Sequence, residues 1–135
     1  MIMKITKSKI FILSGLINIV AVLVLSRFFT NIYITKYDAT VMSNFGLLMI
    51  VLWGFTYISV AKSYKKVKWI VAVFAIEKLI YGIIWVKWRL QNSVSPIFDE
   101  DFMAGIFYSI YGINDILFCI FFSVVFLKLF RNKTN

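Results

Sequence analysis

The chain has 135 residues, of which 61% are hydrophobic and only 16% are charged. Soluble globular domains have ~45–50% apolar and ~25% charged residues, and a small domain has too little interior to hide such an excess from water. The composition therefore excludes an ordinary soluble domain and favours a lipid environment. The net charge of +9 does not predict nucleic-acid binding, because the 15 Lys and Arg residues lie in short segments between apolar runs rather than in one patch.

The sequence lacks the side chains on which several kinds of chemistry depend. It has no histidine, and its single cysteine, Cys119, lies inside an apolar run. A zinc site, a haem held by histidine and a Ser-His or Cys-His catalytic pair all need residues that are missing here. We therefore expect no metal and no cofactor, and a non-enzymatic role is favoured over an enzyme.

Four apolar stretches are long enough to cross a bilayer, whose ~30 Å hydrocarbon core requires ~20 helical residues. They cover about residues 10–29, 39–61, 69–88 and 102–127. The stretches are continuous, whereas the strands of a membrane barrel would alternate apolar with polar residues. The sequence therefore predicts an all-α membrane protein, a single domain over residues 1–135 that forms a four-transmembrane-helix bundle.

The first stretch could instead be a cleaved signal peptide, since it follows a basic segment. However, its apolar run from Ile10 to Ser26 exceeds the usual ~7–15 residues. No small-x-small cleavage site follows it. We therefore expect an uncleaved first transmembrane helix.

The positive charges are distributed unequally between the two sides of the membrane. Ten Lys and Arg residues lie before the first span, between the second and third, and after the fourth, and four lie in the two other loops. These four are Arg27, Lys36, Lys87 and Arg89. Because positive loops are retained in the cytoplasm, we predict cytoplasmic termini and a multi-pass protein of the bacterial cytoplasmic (inner) membrane.

Charged and polar residues interrupt two of the predicted spans near their middles. Glu77 and Lys78 lie in the third span, and Asn114 and Asp115 lie in the fourth. Each unpaired charge at that depth costs at least ~2.5–3.5 kcal/mol on insertion scales. These groups should therefore face inward and satisfy one another, become neutral, or line water. We expect Lys78 to pair with Asp115, which leaves Glu77 as a carboxyl in excess that can exchange protons.

Helical spacing adds further residues to this polar cluster. Tyr81 lies one turn from Glu77 and Lys78, Tyr108 shares a helical stripe with Asp115, and Asn18 lies at similar depth in the first span. The predicted intramembrane binding site thus consists of Glu77, Lys78, Asp115, Asn114, Tyr81, Tyr108 and Asn18. Asn18 could alternatively serve only in helix packing, as could the tyrosines.

A weak internal repeat is also present. Residues 14–18 lie sixty positions before residues 74–78, and Arg27 precedes Lys87 by the same offset. Such a repeat would arise from two parallel hairpins related about the membrane normal, an arrangement found in some transporters.

Two short motifs resemble patterns in a known group of proteins. Residues 77–82 read EKLIYG, and residues 112–118 read GINDILF. Both are similar to strings in small four-span bacterial membrane proteins of the DoxX-like kind. The resemblance implies a four-helix inner-membrane protein, without a settled activity or assigned functional residues.

Three functions remain open from the sequence. The first is a binding or transport module, monomeric or homo-oligomeric, whose polar site handles a proton, an ion or a small solute. The second is an accessory or assembly protein in which the charges form a structural clasp, within the bundle or against a partner membrane subunit. The third is a membrane enzyme that acts on a lipid-like substrate, with Glu77 or Asp115 as acid or base.

Overall fold

The computed structural model describes residues 6–132, which are helical and include no β-strand. The predicted all-α fold class is therefore confirmed. The helices are α1 (Lys7–Leu25), α2 (Ile32–Tyr37), α3 (Asn44–Val60), a 3-10 turn (Tyr64–Lys66), α4 (Lys68–Gln91), α5 (Ser95–Glu100) and α6 (Phe102–Arg131).

Three helices in the described part of the chain are long and apolar enough to cross a membrane, namely α1, α4 and α6. They correspond to the first, third and fourth predicted spans. The second predicted span forms α3, which is apolar but has only 17 residues. At 1.5 Å per residue α3 is about 25 Å long, a few ångströms less than the hydrocarbon core.

The chain divides into two compact units, Met1–Ser63 and Tyr64–Asn135. Each unit contains a long helix, a six-residue helix and a second long helix, in that order. The sixty-residue repeat and its two related hairpins stay a prediction. The single domain and the four-helix bundle stay predictions.

In the first unit, α1 and α3 pack as antiparallel neighbours around two glycines. A β-carbon on Gly15 would overlap the carbonyl oxygen of Gly54, and one on Gly54 would lie 2.7 Å from the carbonyl oxygen of Gly15. The two backbones therefore touch where no side chain fits, as is common between membrane helices. One turn further along α1, the Asn18 amide donates a 3.1 Å hydrogen bond to the carbonyl oxygen of Ile50 in α3.

Helix α1 ends at Leu25, four residues earlier than the predicted limit at Phe29. Residues 27–29 adopt left-handed backbone angles, with φ of 48°, 55° and 66°. Such angles cost roughly 1–2 kcal/mol per residue, and local hydrogen bonds offset part of that cost. The hydroxyl of Ser26 accepts from the Phe29 N–H, and the Asn31 amide donates to the carbonyl oxygen of Leu25.

Helix α3 begins at Asn44, five residues after the predicted start at Ala39. The cause is local hydrogen bonding, which hydropathy does not register. Asp38 accepts from the N–H of Val41 at 3.0 Å and holds a turn, and Ser43 then caps the helix by accepting from the Gly46 N–H at 3.1 Å.

In the second unit, α4 and α6 run antiparallel and contact each other along most of their lengths. Phe74 pairs with Phe122 at 5.4 Å between ring centroids, and Trp88 stacks on Tyr108 at 4.6 Å. The short helix α5 packs against α6, where the ring of Phe98 fills the space that a side chain at position 105 would occupy.

Candidate functional site

The ion pair at the centre of the second unit joins α4 to α6. Lys78 is only 1% exposed, and its Nζ lies 2.7 Å from Oδ1 of Asp115. Both side chains lie near the middle of long apolar helices, far from either end. The predicted pairing of these two residues is therefore confirmed. Whether they form a binding site stays a prediction.

Asp115 uses one of its two oxygens for its hydrogen bonds. Oδ1 accepts from Lys78 and also, at 3.3 Å, from the side-chain amide of Asn114. Within residues 6–132, Oδ2 accepts no hydrogen bond, and the side chain is 10% exposed. The pair thus leaves one carboxylate oxygen at which a proton or a small cation can bind.

Glu77 supplies a second buried carboxyl group beside this pair. Its side chain is 7% exposed, and it precedes Lys78 in α4, about 100° around the helix. Tyr81 lies one turn further along α4 and is only partly buried. Its hydroxyl group interacts electrostatically with the carboxylates of both Glu77 and Asp115. The spacing along α4 predicted only the proximity of Tyr81 to Glu77 and Lys78, and a binding role for Tyr81 stays a prediction.

Two of the predicted site residues have other surroundings. Tyr108 is completely buried, but it lies two helical turns from Asp115, about 10 Å along α6, and its ring stacks on Trp88. Asn18 belongs to the first unit, where it donates to the carbonyl oxygen of Ile50. That contact matches the alternative interpretation of Asn18 as a helix-packing residue.

Sequence reasoning missed the side chains that fix the register of α4 against α6. The indole N–H of Trp85 donates a 2.7 Å hydrogen bond to the carbonyl oxygen of Tyr108, and its ring lies against Gly112. Trp88, one turn further along α4, is also buried, and its ring stacks on Tyr108. The sequence feature that could have indicated this contact was the spacing of large side chains on α4 and of small residues on α6.

A second register contact lies on the other side of the ion pair. The Cys119 thiol donates to the carbonyl oxygen of Ala75 at 3.4 Å. With the Trp85 contact, it brackets Lys78 and Asp115 and holds the two helices so that these side chains face each other. Such supporting contacts matter because a buried ion pair recovers its desolvation cost only with good geometry.

The charge balance of the site determines its chemistry. Among residues 6–132, the buried acidic and basic side chains are Glu77, Lys78 and Asp115, which gives two carboxyls for one ammonium. No group of three His, Cys, Asp or Glu residues in that range could hold a metal ion. One of the two carboxyls is therefore in excess of the single buried ammonium.

Comparison of the chain with protein-family models, with curated proteins and with solved structures found no match. The resemblance to DoxX-like proteins therefore stays a prediction. The geometry of the buried charges, and the apolar helices that carry them, are the basis for a functional interpretation.

Proposed function

We propose that the chain is an integral protein of the bacterial inner membrane whose helices α1, α3, α4 and α6 span the bilayer, with both termini in the cytoplasm. Three of these helices are long and apolar enough. The shorter α3 can still cross, because a bilayer thins around a short helix at a modest cost per ångström. The four lysines in the segment at residues 62–68 support the orientation.

Within this framework, the polar site of α4 and α6 binds a proton or a small cation and takes part in its movement across the membrane. One observation carries this proposal: two carboxyl groups, those of Glu77 and Asp115, are buried with a single basic side chain, Lys78, which pairs with Asp115. Ionisable side chains are expensive inside a membrane, and where they occur they commonly line proton or ion pathways.

The ion pair offers a way to couple binding to helix packing. A proton or cation that binds at Oδ2 of Asp115 reduces the negative charge that faces Lys78, and so weakens the 2.7 Å contact between α6 and α4. Glu77, on the adjacent position of α4, can then compensate the Lys78 ammonium. Occupancy of the site would thereby shift the balance between two arrangements of the same three charges.

Proton flux through reconstituted protein tests the proposal. The full chain is placed in liposomes that contain a pH-sensitive dye, and the decay of an imposed pH gradient is followed. Wild-type protein should dissipate the gradient faster than protein-free liposomes, Glu77→Gln should reduce the added rate at least tenfold, and the exposed control Glu100→Gln should retain it. Wild-type liposomes no faster than empty ones, or undiminished flux with Glu77→Gln, would contradict the proposal.

A second candidate function is an accessory or assembly protein in which the charges are a structural clasp. The observation that favours it is the direct bond between Lys78 and Asp115 on neighbouring helices, since polar side chains between membrane helices contribute to association. On this interpretation wild-type liposomes show no added flux, while Asp115→Asn lowers the stability of the protein in detergent. Partners would then be a second copy or another membrane subunit.

A further inference from the structure

A groove of about 500 Å³ opens on one side of the α4–α6 hairpin, and the residues that line it do not include Lys78 or Asp115. Its walls are apolar and come from both helices: Leu79, Ile83 and Val86 on α4, and Ile116 and Ile120 on α6. The volume is within the ~300–1,000 Å³ typical of small-ligand sites. A groove of this size and apolar lining is suited to a hydrocarbon chain.

The groove depends on Gly82, which lines it without a side chain. A β-carbon there would lie 3.1 Å from Cγ1 of Ile116 and would reduce the space between the helices. The glycine at position 82 of α4 therefore helps to form the groove, which does not result from loose packing alone.

The length and depth of the groove match the position of a lipid chain. It extends along α4 from Leu79 to Lys87, which corresponds to about 12 Å at 1.5 Å per residue. Leu79 lies at the middle of the 24-residue helix, and Lys87 lies near its end. With α4 across the bilayer, the groove runs from the hydrocarbon centre to the level at which a lysine side chain reaches the headgroups.

Lys87 provides the only charge among the residues that line the groove. Its side chain is exposed, and within residues 6–132 its ammonium group has no ion-pair or hydrogen-bond partner. A cation in this position favours a headgroup with net negative charge, because a lysine near the membrane surface attracts an anionic lipid by about 1 kcal/mol.

We propose that this groove binds an anionic phospholipid, with one acyl chain along α4 and α6 and the phosphate group on Lys87. The inference requires α4 and α6 to cross the membrane, but it does not depend on proton exchange at Glu77. A failure of either proposal leaves the other intact, because one is measured as retained lipid and the other as flux.

Native mass spectrometry of the purified full chain, with dioleoyl phosphatidylglycerol or dioleoyl phosphatidylcholine added, tests the proposal. Phosphatidylglycerol should bind at least fivefold more tightly. Lys87→Gln should weaken its binding about fivefold, the effect expected of one lysine near a charged lipid, whereas Arg89→Gln, which lies outside the groove, should not. Circular dichroism and thermal unfolding confirm that each variant is folded.

A second pair of variants tests the acyl-chain contact. Val86, 42% exposed, lines the groove, whereas Ile113, 50% exposed on α6, does not. Val86→Phe should fill the groove and abolish retention of phosphatidylglycerol, and Ile113→Phe should preserve it. Equal retention by these two variants, or equal effects of Lys87→Gln and Arg89→Gln, would overturn the proposal. The proposal would also be overturned if the purified chain were a dimer without bound phospholipid and Val86→Phe converted this dimer to a monomer. The occupant of the groove would then be a second copy of the chain.

Discussion

The indole ring of Trp85 lies directly against Gly112, in the space that a β-carbon at that position would occupy. This contact joins the C-terminal half of α4 to the N-terminal half of α6, and the hydrogen bond from the same indole to the carbonyl oxygen of Tyr108 fixes its orientation. The register that results places Lys78 opposite Asp115. Packing at this residue pair therefore contributes to the geometry of the ion pair, together with the Cys119 contact on its other side.

We expect Gly112→Ala to destabilise the protein by about 1–3 kcal/mol, the usual cost of forcing extra volume into a packed interface. The matched control is Gly82→Ala, whose added methyl group would lie 3.1 Å from Cγ1 of Ile116, a milder overlap than the one with the Trp85 ring at Gly112. Thermal unfolding in detergent compares the two variants. Similar losses for both would show that the Trp85 contact has no special role.

Asn18 and Ser14 provide a second matched comparison, one turn apart on α1. Both are buried, but the Asn18 amide bonds to the carbonyl oxygen of Ile50, whereas the Ser14 hydroxyl has no hydrogen-bond partner within residues 6–132. We expect Asn18→Leu to lower stability by roughly 0.6–2 kcal/mol. Ser14→Ala should be neutral or stabilising, because it removes a buried polar group that gains nothing from burial. A larger loss for Ser14→Ala in the same unfolding measurement would contradict this account of the α1–α3 contact.

Cysteine labelling tests the four spans and their orientation. On a Cys119→Ser background, single cysteines replace Thr40, Ser63 or Ser93, which are exposed positions before α3, after α3 and after α4. A membrane-impermeant maleimide should label Thr40→Cys and Ser93→Cys in intact cells, and Ser63→Cys only after permeabilisation. If Thr40→Cys and Ser63→Cys label from the same side, α3 does not cross the membrane.

Hydropathy and the cost of buried charge allowed much of the second unit to be predicted. The positions of α4 and α6 followed from their long apolar runs, and the pairing of Lys78 with Asp115 followed from the cost of leaving either charge alone in hydrocarbon. Both predictions depend on energies of several kcal/mol, which local conformational preferences cannot override.

The limits of α1 and α3 could not be predicted in the same way. Hydropathy continues through the left-handed turn at residues 27–29 and through the turn held by Asp38, because apolar residues occupy non-helical as well as helical backbone there. Hydrogen bonds worth about 1 kcal/mol each decide where these helices end. The short helices α2 and α5 were likewise expected only as loops, since six residues carry no clear periodic pattern.

The role of Tyr108 shows why the extent of the site was harder to predict than its centre. Helical spacing correctly placed this residue on the buried stripe of α6, but a stripe does not specify depth or partner. The ring of Tyr108 stacks on Trp88. Tyr108 itself lies about 10 Å from Asp115 along the helix.

Lys78 and Asp115 satisfy each other inside the apolar part of the α4–α6 hairpin, and a double-mutant cycle measures this interaction directly. Free energies of unfolding in detergent are compared for wild type, Lys78→Met, Asp115→Asn and the double variant. Each single change leaves a buried group without its partner and should cost about 3 kcal/mol or more. The double variant should recover at least about 1 kcal/mol relative to the sum of the single losses. Losses that add within about 0.5 kcal/mol would show that the two side chains do not interact.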